Sequence, residues 1–202
     1  MRIPLRHGLG AIAAATALGP AAAQDHALTL YGGWRGGGSF QSTTSAGTSA
    51  SLQSSFAGSA SLDWPFDASR QVQLFGSWQS TELPAFGGNP AVPMRVAYLQ
   101  LGGTNFFEGR IGRGPYVVGG LGATWLSPDL NGLSSEVRPS MNLGIGYQWP
   151  LAPSVALRFE LRGYLTLIDS SGNLFCSGGC VVSVKGDLMT QGEAMLGLSF
   201  AF

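Results

Sequence analysis

The alternation of apolar and polar side chains is the feature that most constrains how this chain folds. Residues 155–168, VALRFELRGYLTLI, place Val, Leu and Phe on one side and Arg, Glu, Tyr and Thr on the other. Residues 188–202 repeat the pattern, with Ala, Leu and Phe at alternate positions. A period of two places successive side chains on opposite faces of a strand, whereas a helix has a period of about 3.6. Both segments are therefore predicted to be β-strands.

The same pattern predicts an even number of strands joined by spacers of unequal length. The eight predicted strands cover residues 27–36, 52–64, 70–79, 94–104, 115–126, 139–149, 154–168 and 188–202. Tight spacers follow the second and sixth strands, and long spacers rich in Ser, Gly, Asn and Pro follow the first, third, fifth and seventh. Short turns at one end and long loops at the other are typical of outer-membrane barrels. The predicted fold class is all-β, an eight-stranded antiparallel up-and-down transmembrane β-barrel.

The N-terminus has the pattern of a secretory signal peptide. Arg2 and Arg6 precede a short apolar run, and residues 21–23 are three alanines. A basic region, an apolar region and a small-residue site together predict export, with cleavage after Ala23. A membrane anchor is the alternative, but the run is short for a span of about 20 residues and is broken by a Gly-Pro pair. We expect a signal peptide at 1–23 and a single barrel domain at 24–202.

The composition excludes several classes of protein. Charged residues make up 11% of the chain, against roughly 25% in soluble domains. Without a basic stripe to neutralise phosphates, the chain is not predicted to bind nucleic acid. Disorder is also excluded, because disordered chains combine low hydrophobicity with high charge.

A soluble barrel of the lipocalin type alternates equally well, with its apolar face inward. Three observations favour a membrane barrel. The polar face carries mostly Ser, Gly, Gln, Thr and Asn rather than the Lys and Glu of a solvent-exposed face, and an export signal is present. Tryptophans also lie near predicted strand ends, where interfacial aromatic girdles belong. These candidate interfacial aromatics are Trp34, Trp64, Trp78, Trp125 and Trp149.

Three segments resemble a group of known proteins: GPYVVGGLGATWLSP at 114–128, residues 156–180, and the ending LGLSFAF at 196–202. Together they resemble the small bacterial outer-membrane β-barrel proteins of the outer-membrane protein A and X type. The resemblance implies an eight-stranded barrel in the lipid of a Gram-negative outer membrane. It also implies that Leu198, Phe200 and Phe202 form the C-terminal signal that the barrel assembly machinery reads. The resemblance transfers no catalytic motif.

Histidine content argues against enzymatic chemistry. The two histidines of the chain are His7, which leaves with the signal peptide, and His26, which lies close to the predicted new N-terminus. Ser–His catalysis needs a base beside the nucleophile, so a lipid-modifying enzyme is disfavoured. Zinc sites of the common kinds need His or Cys clusters that this chain lacks. We therefore expect no enzyme activity, no metal and no cofactor.

Cys176 and Cys180 bracket Ser-Gly-Gly in the last long spacer. In an exported protein, two cysteines predict a disulfide. A redox-active pair is the alternative, but the spacing is C-x3-C rather than C-x-x-C. We expect a structural disulfide in an exposed loop.

Charged residues on the polar face of the last strands form the best candidate constellation. They are Arg35, Arg158, Glu160, Arg162 and Glu193. Arg or Lys facing lipid costs about 2–4 kcal/mol at the bilayer midplane, so these side chains are predicted to face the lumen. We expect Glu193 to pair with Arg162 or Arg35. The cluster is either a salt-bridged filling of the lumen or a gate that opens by exchanging partners.

Two functions are compatible with a predicted membrane barrel that has long loops. The first is a structural or surface-interaction protein that presents long loops outside the cell, whose partner the sequence does not identify. The second is a narrow or gated channel for ions or small solutes. A general diffusion porin is excluded, because porins need 16–18 strands for an aqueous channel and this chain has too few residues.

Overall fold

The computed structural model describes residues 26–42, 49–85, 91–129, 134–168, 184–185 and 188–202, and its main element is a closed antiparallel barrel. The eight barrel strands are β1 (Ala27–Gly37), β4 (Ser55–Pro65), β5 (Arg70–Leu83), β6 (Val92–Phe106), β7 (Gly114–Pro128), β8 (Glu136–Ala152), β9 (Val155–Leu167) and β11 (Leu188–Ala201). The predicted eight-stranded fold is confirmed. Within the described ranges, no helix has the length and apolar character to cross a bilayer.

Pairing of the first and last barrel strands closes the sheet. β1 pairs with β11 from Ala27 opposite Ala201 to Gly37 opposite Gln191, and with β4 on its other side. The backbone of His26 continues this seam, accepting from Phe202 N at 2.9 Å and donating to Phe202 O at 3.3 Å. A closed barrel leaves no unpaired edge, which is the condition for strands to cross a membrane.

The two ends of the barrel differ. At the end called here the turn end, residues 66–69, 107–113 and 153–154 join consecutive strands. The opposite end, called the loop end, is where β1, β5, β7 and β9 finish. There, β2 (Ser39–Ser42), β3 (Ser49–Ser51) and β10 (Val184–Lys185) form a small separate sheet. These short strands lie in segments that the sequence predicts as loops, because their residues show no apolar alternation.

Several strands run further toward the loop end than predicted. β5 continues to Leu83 instead of residue 79, and β8 begins at Glu136 instead of residue 139. The β4 strand is shorter and begins at Ser55, so that Gln53, which the pattern assigns to the inner face, is exposed outside the barrel sheet. Beyond the apolar band the outward side chains of β5 and β6 become polar while Leu83, Val92 and Met94 are buried inside, so the pattern of an apolar outer face no longer marks the strand.

The outer surface of the barrel carries a band of exposed apolar side chains around the middle of the strands. The band includes Leu30, Leu62, Leu99, Leu101, Leu121, Leu143, Ile145, Phe159, Leu161, Leu196 and Leu198. Toward the loop end the band stops at a row in which Trp78, Ala97 and Trp125 are cross-strand neighbours. The next outward row is Ser80, Arg95 and Ser127. On β5, β6 and β7 the exterior therefore changes from apolar to polar within two residues along the strand.

Candidate functional site

Charged side chains fill the barrel interior and are the candidate functional site. The six buried charged residues of the described chain are Arg35, Asp63, Arg158, Glu160, Arg162 and Glu193, each at most 4% exposed. Three are cationic and three are anionic, so their charges cancel. An unpaired ion at such a depth is very costly, whereas a paired and hydrogen-bonded one is tolerated.

Arg158 lies at the centre of the network nearest the turn end. Its Nη1 lies 3.1 Å from Asp63 Oδ2 and donates to the Tyr31 hydroxyl at 3.2 Å. Its Nε donates to Gln148 Oε1 at 2.7 Å, and its Nη2 donates to Gln71 Oε1 at 3.2 Å. Strands β1, β4, β5, β8 and β9 supply these side chains, so this one guanidinium links strands on opposite sides of the barrel.

Arg162 and Glu160 form a second ion pair further into the barrel. Arg162 Nη2 lies 2.6 Å from Glu160 Oε1 and donates to Gln73 Oε1 at 3.0 Å. The other carboxylate oxygen of Glu160 accepts from the Tyr116 hydroxyl at 2.9 Å. The Arg162 guanidinium carbon also lies 3.7 Å from the centre of the Phe75 ring, a cation–π contact that compensates for lost hydration.

The third network lies toward the loop end, around Arg35 and Glu193. Arg35 Nη2 lies 2.7 Å from Glu193 Oε2, and that oxygen accepts from the Tyr164 hydroxyl at 2.7 Å. Arg35 also donates to the Ser77 hydroxyl. Its guanidinium lies about 5 Å from the rings of Tyr98 and Tyr164, which stack at 4.3 Å. The two tyrosines therefore wall the ion pair on one side.

Apolar side chains lie beyond the charged networks at both ends of the interior. Toward the loop end the buried side chains include Leu52, Leu83, Val92, Met94, Val96, Leu126, Ile168 and Met189. Apolar constrictions exclude water and ions, so this layer closes the loop end of the interior. Toward the turn end, Ile111 packs against a cluster of Phe106, Tyr116 and Val118, and beside it a cavity of about 180 Å³ is lined by Gln71, Gln148 and Arg158.

The structure places all five predicted charged residues inside the barrel. It also identifies their ion-pair partners, which the sequence pattern did not determine. Glu193 is bonded to Arg35, whereas Arg162 is bonded to Glu160. Asp63, the partner of Arg158, was missed by the sequence analysis. It lies two residues after Ser61 on the same face of the strand, so the period-two rule was the signal that could have found it.

The predicted interfacial aromatics lie at two levels of the outer surface. Trp34, Trp78 and Trp125 face outward in the loop-side part of their strands and are exposed. Trp64 and Trp149 lie beside turns, and the centre of the Trp149 ring lies 4.4 Å from that of the tilted Tyr147 ring. Aromatic rings at both margins of an apolar band match the girdles of membrane barrels.

The residues of the predicted C-terminal signal lie on the last strand and just after it. Leu198 and Phe200 face outward on β11, and Phe202 follows the strand with its ring beside His26. Cys176 and Cys180, the predicted signal peptide at 1–23 and the two residues that follow it lie outside the described residues. Within the described ranges, no group of three or more His, Cys, Asp or Glu side chains could hold a metal ion.

The barrel is similar to solved outer-membrane structures. No protein-family model and no curated protein matches the chain. Neisserial surface protein A is 15% identical, with a TM-score of 0.60 over 89% of this chain and 98% of that chain. The outer membrane protein OprG from Pseudomonas aeruginosa is 14% identical, with a TM-score of 0.53 over the same shares. The N-terminal β-barrel domain of Pseudomonas aeruginosa OprF is 15% identical, with a TM-score of 0.50, again over 89% and 98%. Identities this low show a shared fold.

Proposed function

We propose that the chain is an integral outer-membrane protein without enzymatic activity, which anchors its loop end at the cell surface for a structural or surface-interaction role. The barrel acts as a rigid, closed support in the membrane, and the long loops meet the extracellular partner. The observation that carries this proposal is a filled interior, in which six charged side chains are buried with balanced charge and apolar side chains close the loop end.

The arrangement of the two barrel faces supports placement in a membrane. Leu143 is 72% exposed at the middle of β8, while Arg158 on the neighbouring strand is 1% exposed inside. A soluble barrel would bury the leucine and expose the arginine. Outward aromatic residues border the apolar band where lipid headgroups would lie.

Export and assembly complete the proposal. The signal peptide at 1–23 would direct the chain across the inner membrane, and Leu198, Phe200 and Phe202 would be read by the barrel assembly machinery. With short turns toward the periplasm, the loop that contains Cys176 and Cys180 would face the oxidising exterior, where a disulfide is stable.

A narrow gated channel is the second candidate, and one observation favours it. Glu193 is the direct cross-strand neighbour of Arg162, yet it is bonded to Arg35, while Arg162 is bonded to Glu160. Glu193 therefore has a second cation, Arg162, directly opposite it on the neighbouring strand. An exchange in which Glu193 pairs with Arg162 would rearrange two of the three networks.

Reconstitution of residues 24–202 tests both candidates. The support proposal predicts insertion into lipid vesicles, a heat-modifiable band on gels, and no steady conductance in planar bilayers.

Arg35→Met removes the present partner of Glu193 and is the sharpest test of the gate. Arg95→Met is the matched change on the outer surface. A soluble periplasmic protein in cell fractionation would contradict membrane placement. Discrete openings that increase in Arg35→Met but not in Arg95→Met would favour the channel.

A further inference from the structure

We propose that the turn end of the barrel binds the phosphate headgroup of a phospholipid through Arg110 and Arg113. This inference rests on the proposed function, since it requires the turn end to face the periplasmic leaflet of the membrane. The ligand class is a phosphodiester that carries acyl chains, so it combines an anion with an apolar tail.

A cavity of about 590 Å³ lies beside the two arginines. It is bounded by the turn at 107–113 on one side and by Pro150, Ala152 and Pro153 on the other. Small-molecule sites usually have volumes of about 300–1,000 Å³. The space is therefore large enough for a headgroup.

Both arginines keep their hydrogen-bond donors free. Arg110 and Arg113 are exposed, and among the described residues neither has an ion pair or a side-chain hydrogen bond. Other exposed arginines are paired, with Arg70 2.5 Å from Asp67 and Arg95 3.2 Å from Asp129.

Glu108, the acidic residue of the same turn, does not accept hydrogen bonds from the two arginines. The Glu108 carboxyl carbon lies 2.5 Å from the position of a Cβ on Gly114, so its side chain is folded over that glycine. The two guanidinium groups therefore remain available for a ligand, and a guanidinium binds phosphate through paired N–H donors.

The turn that carries the arginines is held in place. Ile111 N donates to Ala68 O at 2.9 Å, and Phe107 N donates to Pro115 O at 3.0 Å. The Ile111 side chain packs inward against Phe106 and Tyr116. These contacts fix the backbone on both sides of Arg110, so the two cations are presented from a defined turn.

Exposed apolar side chains at the turn end favour a lipid over a soluble phosphate. Phe66, Phe107 and Leu151 are 69%, 62% and 61% exposed. None of the three lines the cavity, but Phe107 begins the turn that carries the arginines, and Leu151 lies in the chain between the cavity residues Pro150 and Ala152. Aromatic residues at the membrane interface lie beside the phosphates, where guanidinium groups also belong. A soluble anion would need the arginines but not these apolar side chains.

A second cavity adjoins the first and adds room for the polar part of a headgroup. It measures about 180 Å³, shares Ile111, Gly112 and Pro150 with the first, and is lined deeper by Gln71 and Gln148. Gly112 has a φ of +95°, which favours glycine, and the nearest atom to a Cβ there is Gln148 Nε2 at 3.9 Å. A headgroup held by the arginines can therefore extend its hydroxyl or ammonium group over Gly112 toward the two amides.

Lipid titration in a phosphate-free maltoside detergent tests the site. Dioleoylphosphatidylglycerol is added to the refolded chain, and bound lipid is counted by native mass spectrometry. The Arg110→Gln/Arg113→Gln variant should bind about 25-fold more weakly than wild type, about fivefold for each arginine. Arg95→Gln, which removes an exposed arginine at the other end, should bind like wild type.

Two control ligands separate the parts of the proposal. Dioleoylglycerol lacks the phosphate and glycerol 3-phosphate lacks the acyl chains, so both should bind much more weakly than the phospholipid. Equal affinity for glycerol 3-phosphate would overturn the lipid assignment in favour of a soluble phosphate. Equal affinity for dioleoylglycerol, or unchanged affinity in the double variant, would overturn the site itself.

The same samples separate a failure of this inference from a failure of the proposed function. Heat-modifiable gel mobility of the wild type after transfer into dioleoylphosphatidylcholine vesicles reports whether the barrel inserts. A chain that does not insert contradicts the proposed function. A chain that inserts, but binds phosphatidylglycerol equally well with and without the arginines, contradicts the headgroup site alone. The double variant must show the same gel shift as wild type for its affinity to be compared.

Discussion

Arg35 and Glu193 are opposite each other in the register of the strands that close the barrel, and their side chains form an ion pair of 2.7 Å with no exposed surface. The Tyr164 hydroxyl donates to the same carboxylate oxygen. The ion pair therefore bridges the closing seam between β1 and β11, while the tyrosine extends the contact to β9.

Removal of either charge at this seam should destabilise the barrel strongly. Breaking a buried pair typically costs about 3–5 kcal/mol, because the remaining ion stays buried without a partner. We expect a loss of this size for Arg35→Met and for Glu193→Gln, the latter retaining an acceptor for Tyr164. The double variant should lose less than the sum of the two, measured by urea unfolding in vesicles. Additive losses would show that the two charges are not coupled. The control is Arg95→Met, which breaks an exposed ion pair and should change stability by about 0–1 kcal/mol.

Close approach of β6 and β7 requires glycine at residue 102. Gly102 faces inward, and a Cβ there would overlap the carbonyl oxygen of Gly119 and crowd Gly120. Because these atoms are backbone, Gly102→Ala should cost about 1–3 kcal/mol, the usual range for overpacking. Gly192→Ala is the matched control, since no heavy atom lies within 4 Å of its added Cβ. The free energies of unfolding of both variants check this, and equal values would contradict it.

The period-two pattern predicts the fold and the facing of most side chains because successive residues of each strand alternate between the outer surface and the lumen. That rule assigns Arg35, Arg158, Glu160, Arg162 and Glu193 to the interior, where all five lie. It does not give the height of each residue along the barrel axis, which depends on strand tilt and stagger. The pairing of Arg158 with Asp63 therefore could not be read from the sequence, although both residues lie on inward faces.

Strand ends were predicted less well than strand faces. Near Leu83 the outward residues Ser80 and Glu82 are already polar, so the apolar alternation of the outer face stops before the hydrogen-bonded ladder does. The free arginines of the turn at 107–113 were also missed, because turn residues carry no periodic signal. Their availability depends on the orientation of Glu108, which is a property of the folded turn.

The turn between β4 and β5 should remain charged in acid. A side-chain hydrogen bond from Arg70, supported by the backbone N–H of Ser69, lowers the pKa of Asp67 from 3.8 to about 2. Since the folded pKa is depressed, the stabilisation is complete above the unfolded pKa of 3.8 and is lost as the pH falls through about 2. The stability difference between wild type and Asp67→Asn should therefore be constant from neutral pH to roughly pH 4 and vanish below roughly pH 2. An NMR titration of Asp67 that gives an ordinary pKa would contradict this, and Arg70→Gln should move the pKa back toward 3.8.

The exterior of the barrel gives the most direct test of whether it faces lipid. Leu143 points outward at the middle of β8, and Leu143→Arg should cost about 2–4 kcal/mol in a bilayer, as expected for arginine near the midplane. Ser80→Arg introduces the same charge beyond the row of Trp78, where the outer surface is already polar, and should cost about 0–1 kcal/mol. Unfolding in vesicles of phosphatidylcholine measures both. If the exterior instead faced water, an arginine at residue 143 would be hydrated at either height, and the two variants would differ little from wild type and from each other.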